Sequence, residues 1–262
     1  MTVAVTDEPA PTIDPKDLIV GLGRGLAVIE AFDDAHPRLT ATEAARRVGL
    51  TRTAARRHLL SLCHYGYAAS DGKQYWLAPR VLRLGQSYLS SARLPRLVQP
   101  FIQRASMATG ETFNVSVLDG HEVVYIARSN SPRLVSIGFH AGARVPAHVV
   151  APGPVLLARL DDAALDAWIA EHEFAAFTAQ TVARPRQFAE IVRRARSLGW
   201  WITMHQLDPG LLGVAVPLVD AHGRCVAAIG ATVQAMAYTE ADARDKLVTV
   251  LQDAARLLRP ML

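Results

Sequence analysis

The stretch that decides the fold runs from residue 39 to residue 77 and reads LTATEAARRVGLTRTAARRHLLSLCHYGYAASDGKQYWL. Thr40 or Thr42 can cap a short helix over residues 43–48, because a threonine oxygen accepts a hydrogen bond from an amide of the first turn. That helix should stop at Gly49, where a left-handed backbone costs little. A second helix follows within about four residues, and two helices joined in this way are typical of a helix-turn-helix.

The second helix of this pair has two distinct faces. Thr51 can cap it, and it is predicted to run from Arg52 to about His64. Its apolar residues recur at helical spacing and should pack on the preceding helices. In this motif the N-terminal residues of the second helix contact base edges. The residues predicted to bind DNA in this way are Thr51, Arg52, Thr53, Arg56 and Arg57. The alternative is that these arginines only keep an exposed helix face hydrated and do not bind DNA.

A hairpin is predicted directly after this helix. Residues 67–70 and 74–77 are β-prone and flank Asp71-Gly72-Lys73, and an Asp-Gly pair between such segments favours a tight turn. A hairpin at this position is a wing. Lys73 at its tip could reach a phosphate and so position the protein without reading sequence.

The basic residues are concentrated in this first third of the chain. The whole sequence has a net charge of +4, yet residues 15–95 hold twelve Lys and Arg against six Asp and Glu. Residues 1–14 hold three acids and no base, and residues 96–262 hold sixteen bases against fifteen acids. A local basic excess is expected of a module that meets the phosphates of DNA.

Composition limits the class of protein. Half of the 262 residues are hydrophobic and a fifth are charged, as is ordinary for a globular protein of two domains. No apolar run reaches the roughly 18 residues that a membrane helix needs. Residues 1–15 lack the basic start and apolar core of a secretory signal, so we expect a disordered lead-in and a cytoplasmic protein. The two cysteines, Cys63 and Cys225, are too few for a disulfide framework or a zinc site.

Motifs for catalysis are not supported. Residues 21–25 imitate a phosphate-binding glycine loop, but Leu26 stands where the third glycine belongs and no strand precedes it. The nine histidines lack metal-ligand spacing, no G-x-S-x-G motif occurs, and Cys225 falls within a segment predicted to be a buried strand. We therefore expect a protein that is not an enzyme and that has no cofactor and no metal site.

The remainder of the chain alternates between strand and helix patterns. Residues 79–96 are predicted to be a linker helix between a winged helix-turn-helix over residues 16–78 and an effector-binding domain over residues 97–262. In the last of these, strands are predicted over 112–117, 122–127, 134–139, 200–207, 212–218 and 225–233. Helices are predicted over 99–109, 151–160, 163–172, 186–198 and about 240–258. Strand pairs mixed with helices indicate an α+β fold with a mainly antiparallel sheet.

Short blocks along the chain resemble one known family. They are GRGLAV at 23–28, VGLTRT at 48–53, WLAPRVLRLG at 76–85, GET at 110–112, GARVPAH at 142–148, DPGL at 208–211 and VAVP at 214–217. Their order and spacing are together specific, and the likeness extends over about residues 18–258. On these blocks the chain resembles the IclR family of transcriptional regulators. RVPAH at 144–148 and VLLA at 155–158 are most similar to the branch that regulates protocatechuate and 4-hydroxybenzoate catabolism.

The resemblance implies a GAF/profilin-like effector domain with a ligand pocket. It implies pocket walls in the loop after Pro146 and on the strands near residues 203, 213 and 230, with small residues leaving room for an aromatic ring. The effector-binding residues expected there are His140, Ala151, Pro152, Thr203, Met204, Gly213, Gly230 and Thr232. Side chains that could bind a carboxylate are His140, His148, His205 and Arg144. The chain departs from the family at Pro154, where Lys or Arg is usual, and at Gln206, where an acid is usual.

The leading hypothesis is a ligand-responsive transcription factor. Its expected partners are double-stranded operator DNA and a small organic acid, and its target genes would serve the catabolism of an aromatic acid. We expect a homodimer or a tetramer built as a dimer of dimers, because palindromic sites need a two-fold protein. Two alternatives stay open: a regulator that senses a short aliphatic acid, and an enzyme or ligand-storage domain whose helix-turn-helix does not bind DNA.

Overall fold

The computed structural model describes residues 13–130 and 138–262 of the chain. The chain divides between Ser91 and Ala92 into two compact units. Most of the expected lead-in over residues 1–15 lies outside the described residues, since only its last three are described. Within the described ranges, no helix is both long enough and apolar enough to cross a membrane.

The N-terminal unit is a winged helix-turn-helix. Its helices are α1 (Val20–Glu30), α2 (Ala41–Arg47), α3 (Arg52–His64) and α4 (Leu82–Ser91). Its strands are β1 (Leu39–Thr40), β2 (Ala68–Ser70) and β3 (Gln74–Leu77), antiparallel in the order β1-β3-β2. Thr40 rather than Thr42 caps α2. Its hydroxyl accepts from the Glu43 backbone N–H at 3.3 Å, and the Glu43 carboxylate accepts from the Thr40 N–H at 2.7 Å.

The C-terminal unit is built on one antiparallel sheet. Its described strands are β4 (Thr112–Asp119), β5 (Glu122–Arg128), β6 (Arg144–Pro146), β7 (Trp201–Met204), β8 (Leu211–Val219) and β9 (Cys225–Gln234). They pair in the order β6-β5-β4-β9-β8-β7, each antiparallel to its neighbour. Its described α-helices are α5 (Arg93–Thr109), α6 (Pro152–Leu157), α7 (Asp162–Glu171), α8 (Pro185–Leu198), α9 (Glu240–Asp242) and α10 (Thr249–Leu258), and a π-helical segment over Ala243–Val248 joins the last two. The predicted α+β fold is confirmed.

Helices cover both faces of this sheet. On one face α5 and α10 pack on a core that includes Leu212, Val214 and Val216. On the other face α6 and α8 pack on a core that includes Ala215 and Ala228. The side chains of β8 therefore alternate between two hydrophobic layers, as they must in a strand that is buried on both sides.

Several elements differ from those predicted from the sequence. Helix α5 begins six residues earlier than expected, at Arg93, because Pro95 lies in its first turn, where a missing N–H costs no helical hydrogen bond. Strand β7 ends three residues early, because His205 has a left-handed φ of 58°. The strand predicted over 134–139 lies mostly outside the described residues, and the short strand β6 was not expected.

Candidate functional site

Helix α3 turns its basic face to solvent. Thr51 Oγ1 accepts a hydrogen bond from the Ala54 N–H at 3.2 Å, which starts the helix, and Ala55 and Leu59 are fully buried on its inner side. The opposite side is therefore directed outward. The residues predicted to bind DNA are all exposed at the cap and in the N-terminal half of α3: Thr51, Arg52, Thr53, Arg56 and Arg57.

Among the described residues, the arginines of this face have no acidic partner. In the described part of the chain, no carboxylate lies within salt-bridge distance of Arg52, Arg56 or Arg57. By contrast, Arg47 on α2 binds the carboxylate of Asp33. The donors of these three guanidinium groups are therefore available for contacts to phosphates and to guanine edges.

The hairpin presents Lys73 at its tip. The Asp71 carboxylate accepts from the Lys73 backbone N–H at 2.9 Å, and Gly72 has a φ of 94°, so the turn is closed by its own residues. The Lys73 side chain is exposed. Arg38 lies over the Trp76 ring, its guanidinium carbon 4.1 Å from the ring centroid, so Trp76 packs within the wing.

A second candidate site is a cavity inside the C-terminal unit, between the sheet and α6. Its volume is about 20 Å³, which is room for little more than one water molecule. An aromatic acid would therefore need the walls to move apart. The lining residues that sequence analysis did not identify as pocket residues are Asn114, Tyr125, Phe139, Val149, Val150, Gln206, Leu207, Leu211, Val214 and Ala231.

Five of the eight expected effector-binding residues line this cavity: Ala151, Pro152, Thr203, Gly213 and Thr232. The other three lie elsewhere. Met204 packs in the core on the opposite face of the sheet, because side chains alternate along β7. Gly230 lies against neighbouring backbone, since a Cβ there would be 2.6 Å from the Val214 carbonyl oxygen. The His140 side chain is exposed to solvent.

One glycine lies in the cavity wall and another lies in α6 beside it. A Cβ at Gly213 would lie 2.9 Å from Thr203 Oγ1 and 3.5 Å from Ala151 Cβ, so the absence of a side chain there provides part of the space. A Cβ at Gly153 would lie 1.8 Å from the Ala147 carbonyl oxygen. Only glycine lets α6 approach this segment so closely.

The cavity combines an aromatic wall with an unsatisfied polar atom. The rings of Tyr125 and Phe139 stack with centroids 4.6 Å apart. Burial raises the pKa of the Tyr125 hydroxyl above its ordinary value. Asn114 Oδ1 is buried and has no hydrogen-bond partner among the described residues, while its Nδ2 donates to Thr232 Oγ1 at 3.4 Å. In the sequence, this polar atom was indicated only by one amide side chain, that of Asn114, within a mainly apolar predicted strand.

The side chains expected to bind a carboxylate lie outside the cavity lining. Arg144 forms salt bridges with Asp119 at 2.8 Å and with Glu122 at 2.6 Å. His148 is bonded to another histidine ring, and His205 is close to a backbone carbonyl. Among the described residues that line the cavity none is Lys, Arg or His, so a carboxylate there would be bound by neutral donors.

The two sites together define a transcriptional regulator with a winged helix-turn-helix for DNA and a separate domain for a small molecule. Residues 21–72 match the model of the IclR helix-turn-helix domain, and residues 86–259 match that of the bacterial transcriptional regulator IclR C-terminal domain. The chain belongs to the IclR family. This confirms the resemblance found in its sequence blocks.

Similar proteins agree with the branch predicted within that family. The chain is 35% identical over 251 residues to the Pca operon regulatory protein of Acinetobacter baylyi, covering 94% of this chain and 90% of the relative. It is 37% identical over 252 residues to the p-hydroxybenzoate hydroxylase transcriptional activator of that organism, covering 94% and 93%.

Two solved structures share the fold at comparable identity. A transcriptional regulator from Rhodococcus sp. RHA1 is 37% identical, with a TM-score of 0.73, over 91% of this chain and 96% of its own. The inducer-binding domain of a PobR double mutant from Acinetobacter, in complex with 3-hydroxybenzoic acid, is 31% identical. Its TM-score is 0.62, over 65% of this chain and 100% of its own.

Proposed function

We propose that this chain responds to an aromatic acid of the hydroxybenzoate class and regulates genes for the catabolism of that acid. The observation that carries the proposal is the cavity, where stacked aromatic rings lie beside the unpartnered oxygen of Asn114. An aromatic ring that bears a hydroxyl group would match both features. The names of the two Acinetobacter relatives and the 3-hydroxybenzoic acid held by the PobR domain support the same class of ligand.

The effector would enter between the sheet and the loop before α6. Its ring would lie against Ala151, Pro152 and Gly213, its hydroxyl would donate to Asn114 Oδ1, and Thr203 would donate to its carboxylate. Because the free cavity holds only about 20 Å³, binding must shift the wall. A ligand that fits only a widened cavity favours the conformations in which it is wide, and so shifts the population.

Operator DNA would be read by the basic face of α3 and held by the wing. Arg52 and Arg56 are exposed at the N-terminal half of α3, where they would reach guanine edges in the major groove. Lys73 would contact a phosphate. The protein would act in the cytoplasm, where such DNA lies.

A homodimer, or a dimer of dimers, would serve these two functions. Helix α1 exposes Val20, Leu22 and Leu26, and helix α4 exposes Leu82 and has no buried residue. Apolar helix faces of this kind are normally covered by a partner. A two-fold dimer would bring two copies of α3 to one palindromic operator.

The test measures operator affinity by fluorescence anisotropy with and without 4-hydroxybenzoate, protocatechuate or hexanoate, alongside thermal melts. We expect an aromatic acid to change the affinity and to raise the melting temperature, since a ligand at 100 times its Kd stabilises by about 2.7 kcal/mol. An unchanged operator affinity and an unchanged melting temperature with both aromatic acids would contradict the effector assignment. A response to hexanoate alone would favour the aliphatic alternative, and DNA binding that is absent or insensitive to salt would favour a non-DNA-binding module.

A further inference from the structure

Strand β8 extends beyond its outer neighbour. β7 pairs with β8 only from Leu212 to Ala215, whereas β8 continues beside β9 to Val219. Past Ala215, the outer edge of β8 borders a groove of about 330 Å³. That volume lies within the roughly 300–1,000 Å³ of small-molecule sites. The groove is separate from the effector cavity, which β8 lines at its other end, at residues 211–214.

Arginines from both layers of the domain line this groove. Arg159 follows α6, which packs on one face of the sheet. Arg256 and Arg259 stand at the end of α10, which packs on the other face. Among the described residues that line the groove there is no Asp or Glu. Three arginines from the two layers therefore line the groove beside this part of β8.

The charges of these arginines are largely uncompensated. Within the described ranges, no carboxylate lies within salt-bridge distance of Arg159 or Arg259. Arg259 Nε donates to the backbone oxygen of Asp220 at 3.4 Å, while the Asp220 carboxylate binds another arginine. Arg256 pairs with Asp253 on its own helix, and an exposed pair of this kind contributes little.

The shape and chemistry of the groove select one kind of occupant. A guanidinium fork matches a carboxylate, and cations that arise from two layers suit two acid groups held apart. Of the two valines that line the groove, Val219 is partly exposed and gives it an apolar surface against which a short hydrocarbon can lie, whereas Val216 is buried in the core. Pro217 has no N–H, so an added peptide strand would lack a hydrogen bond at the centre of this edge. We propose that the groove binds a small organic dicarboxylate.

The test titrates the full chain with the straight-chain dicarboxylates from succinate to pimelate by isothermal calorimetry. Neutral glutaramide and the monoacid butyrate serve as ligand controls. Arg159→Gln and Arg259→Gln each remove one groove cation, and Arg193→Gln removes the same charge from the exposed side of α8. We expect at least one diacid to bind, about tenfold more weakly to either groove variant. Its affinity for Arg193→Gln should equal that for the unsubstituted chain.

Four outcomes would overturn the proposal. They are binding by no diacid in the series, equal binding by glutaramide, undiminished binding by both groove variants, and an equal loss in Arg193→Gln. Sedimentation of the same variants distinguishes a further case. If the groove substitutions dissociate an oligomer and no diacid binds, the groove is a contact between copies of the chain. Circular dichroism checks that each variant is folded. Because the effector cavity is not altered, these results do not depend on whether an aromatic acid binds there.

Discussion

Asn114 is the residue at which stability and ligand binding oppose each other. A buried acceptor without a partner costs about 1–3 kcal/mol, and Asn114 Oδ1 has none among the described residues. Its Nδ2 makes only a long contact, 3.4 Å, with Thr232. An apolar residue of the same shape would pack this strand better. The amide is therefore best explained by a group that enters the cavity and donates to it.

Replacing this residue separates the two effects. In Asn114→Leu we expect the free protein to be at least as stable, because the unpaired acceptor is gone, while affinity for 4-hydroxybenzoate falls about tenfold. Ser116→Ala is the matched control, since Ser116 Oγ is also buried without a partner but does not line the cavity. It should leave the affinity unchanged. Thermal melts and calorimetry measure both quantities, and undiminished binding by Asn114→Leu would exclude Asn114 as an effector contact.

Substitutions of Arg56 and of Lys73 should change DNA binding in different ways. Arg56→Ala is expected to reduce the preference for operator over mutated operator, because a bidentate contact to guanine discriminates by roughly 1–3 kcal/mol. Lys73→Ala should weaken binding to every sequence by one factor, because a phosphate carries no sequence information. Competition among operator variants at one salt concentration distinguishes the two. Identical profiles for both variants would contradict these roles.

At the scale of elements, a histidine cluster joins the end of α7 to the segment before α6. His172 Nε2 and His148 Nδ1 are 2.7 Å apart, and the His172 ring stacks on Trp168 with centroids 4.4 Å apart. Burial, and next the electrostatic interaction with His148 and with His121, lowers the pKa of His172 to about 4. His148 directly precedes residues 149–152 of the cavity wall, so the contact between the two histidine rings adjoins that wall.

This cluster predicts a loss of stability in mild acid. The unfolded chain takes up a proton on His172 near its ordinary pKa of 6.5, whereas the folded chain does not until about 4. The stability that the neutral ring contributes is therefore present above about pH 6.5 and is lost as the pH falls toward 4. Each tenfold difference in proton affinity between the folded and the unfolded state corresponds to about 1.4 kcal/mol.

The measurement is urea unfolding at about pH 7 and about pH 5. His172→Phe keeps an aromatic ring beside Trp168 but cannot titrate, so the stability of this variant should fall less between the two conditions. His222→Gln, at an exposed site, should keep the slope of the unsubstituted chain. The carboxylate of Glu171 is 4.0 Å from His121 Nε2, and its contribution to the pH dependence of stability is common to all three proteins. Equal slopes for all three would remove His172 from this effect.

The elements that could be predicted are those with local signals. Thr40 and Thr51 cap helices α2 and α3, and Gly49, with a φ of 65°, makes the turn between them. The start of α5 was missed because Pro95 suggested a linker, although this proline fits the first turn of the helix. Pro100, which lies within the predicted helix, is tolerated inside α5. A proline within a helix is explained only by the packing around it, which no local pattern records.

At the scale of the whole molecule, the cavity depends on contacts between distant parts of the chain. Asn114 faces Gly230 across the β4–β9 pair, and Thr203 faces Gly213 across the β7–β8 pair. Thr203 and Gly213 could be predicted because the resemblance to the IclR family implies pocket walls at these positions. Asn114 and Phe139 required the register of the sheet and the course of the loop before α6, which arise only when these strands assemble.

The salt dependence of operator binding should report how many subunits engage the DNA. The logarithm of the binding constant falls linearly with the logarithm of salt concentration, with a slope of about −0.9 for each phosphate neutralised. If both wings of a dimer touch the backbone, Lys73→Ala should reduce the magnitude of this slope by about 2, whereas one engaged wing predicts about 1. Arg193→Gln removes the same charge from the C-terminal unit and should leave the slope unchanged. An unchanged slope in Lys73→Ala would show that Lys73 contacts no phosphate, and a change of about 1 would contradict symmetric docking of two subunits.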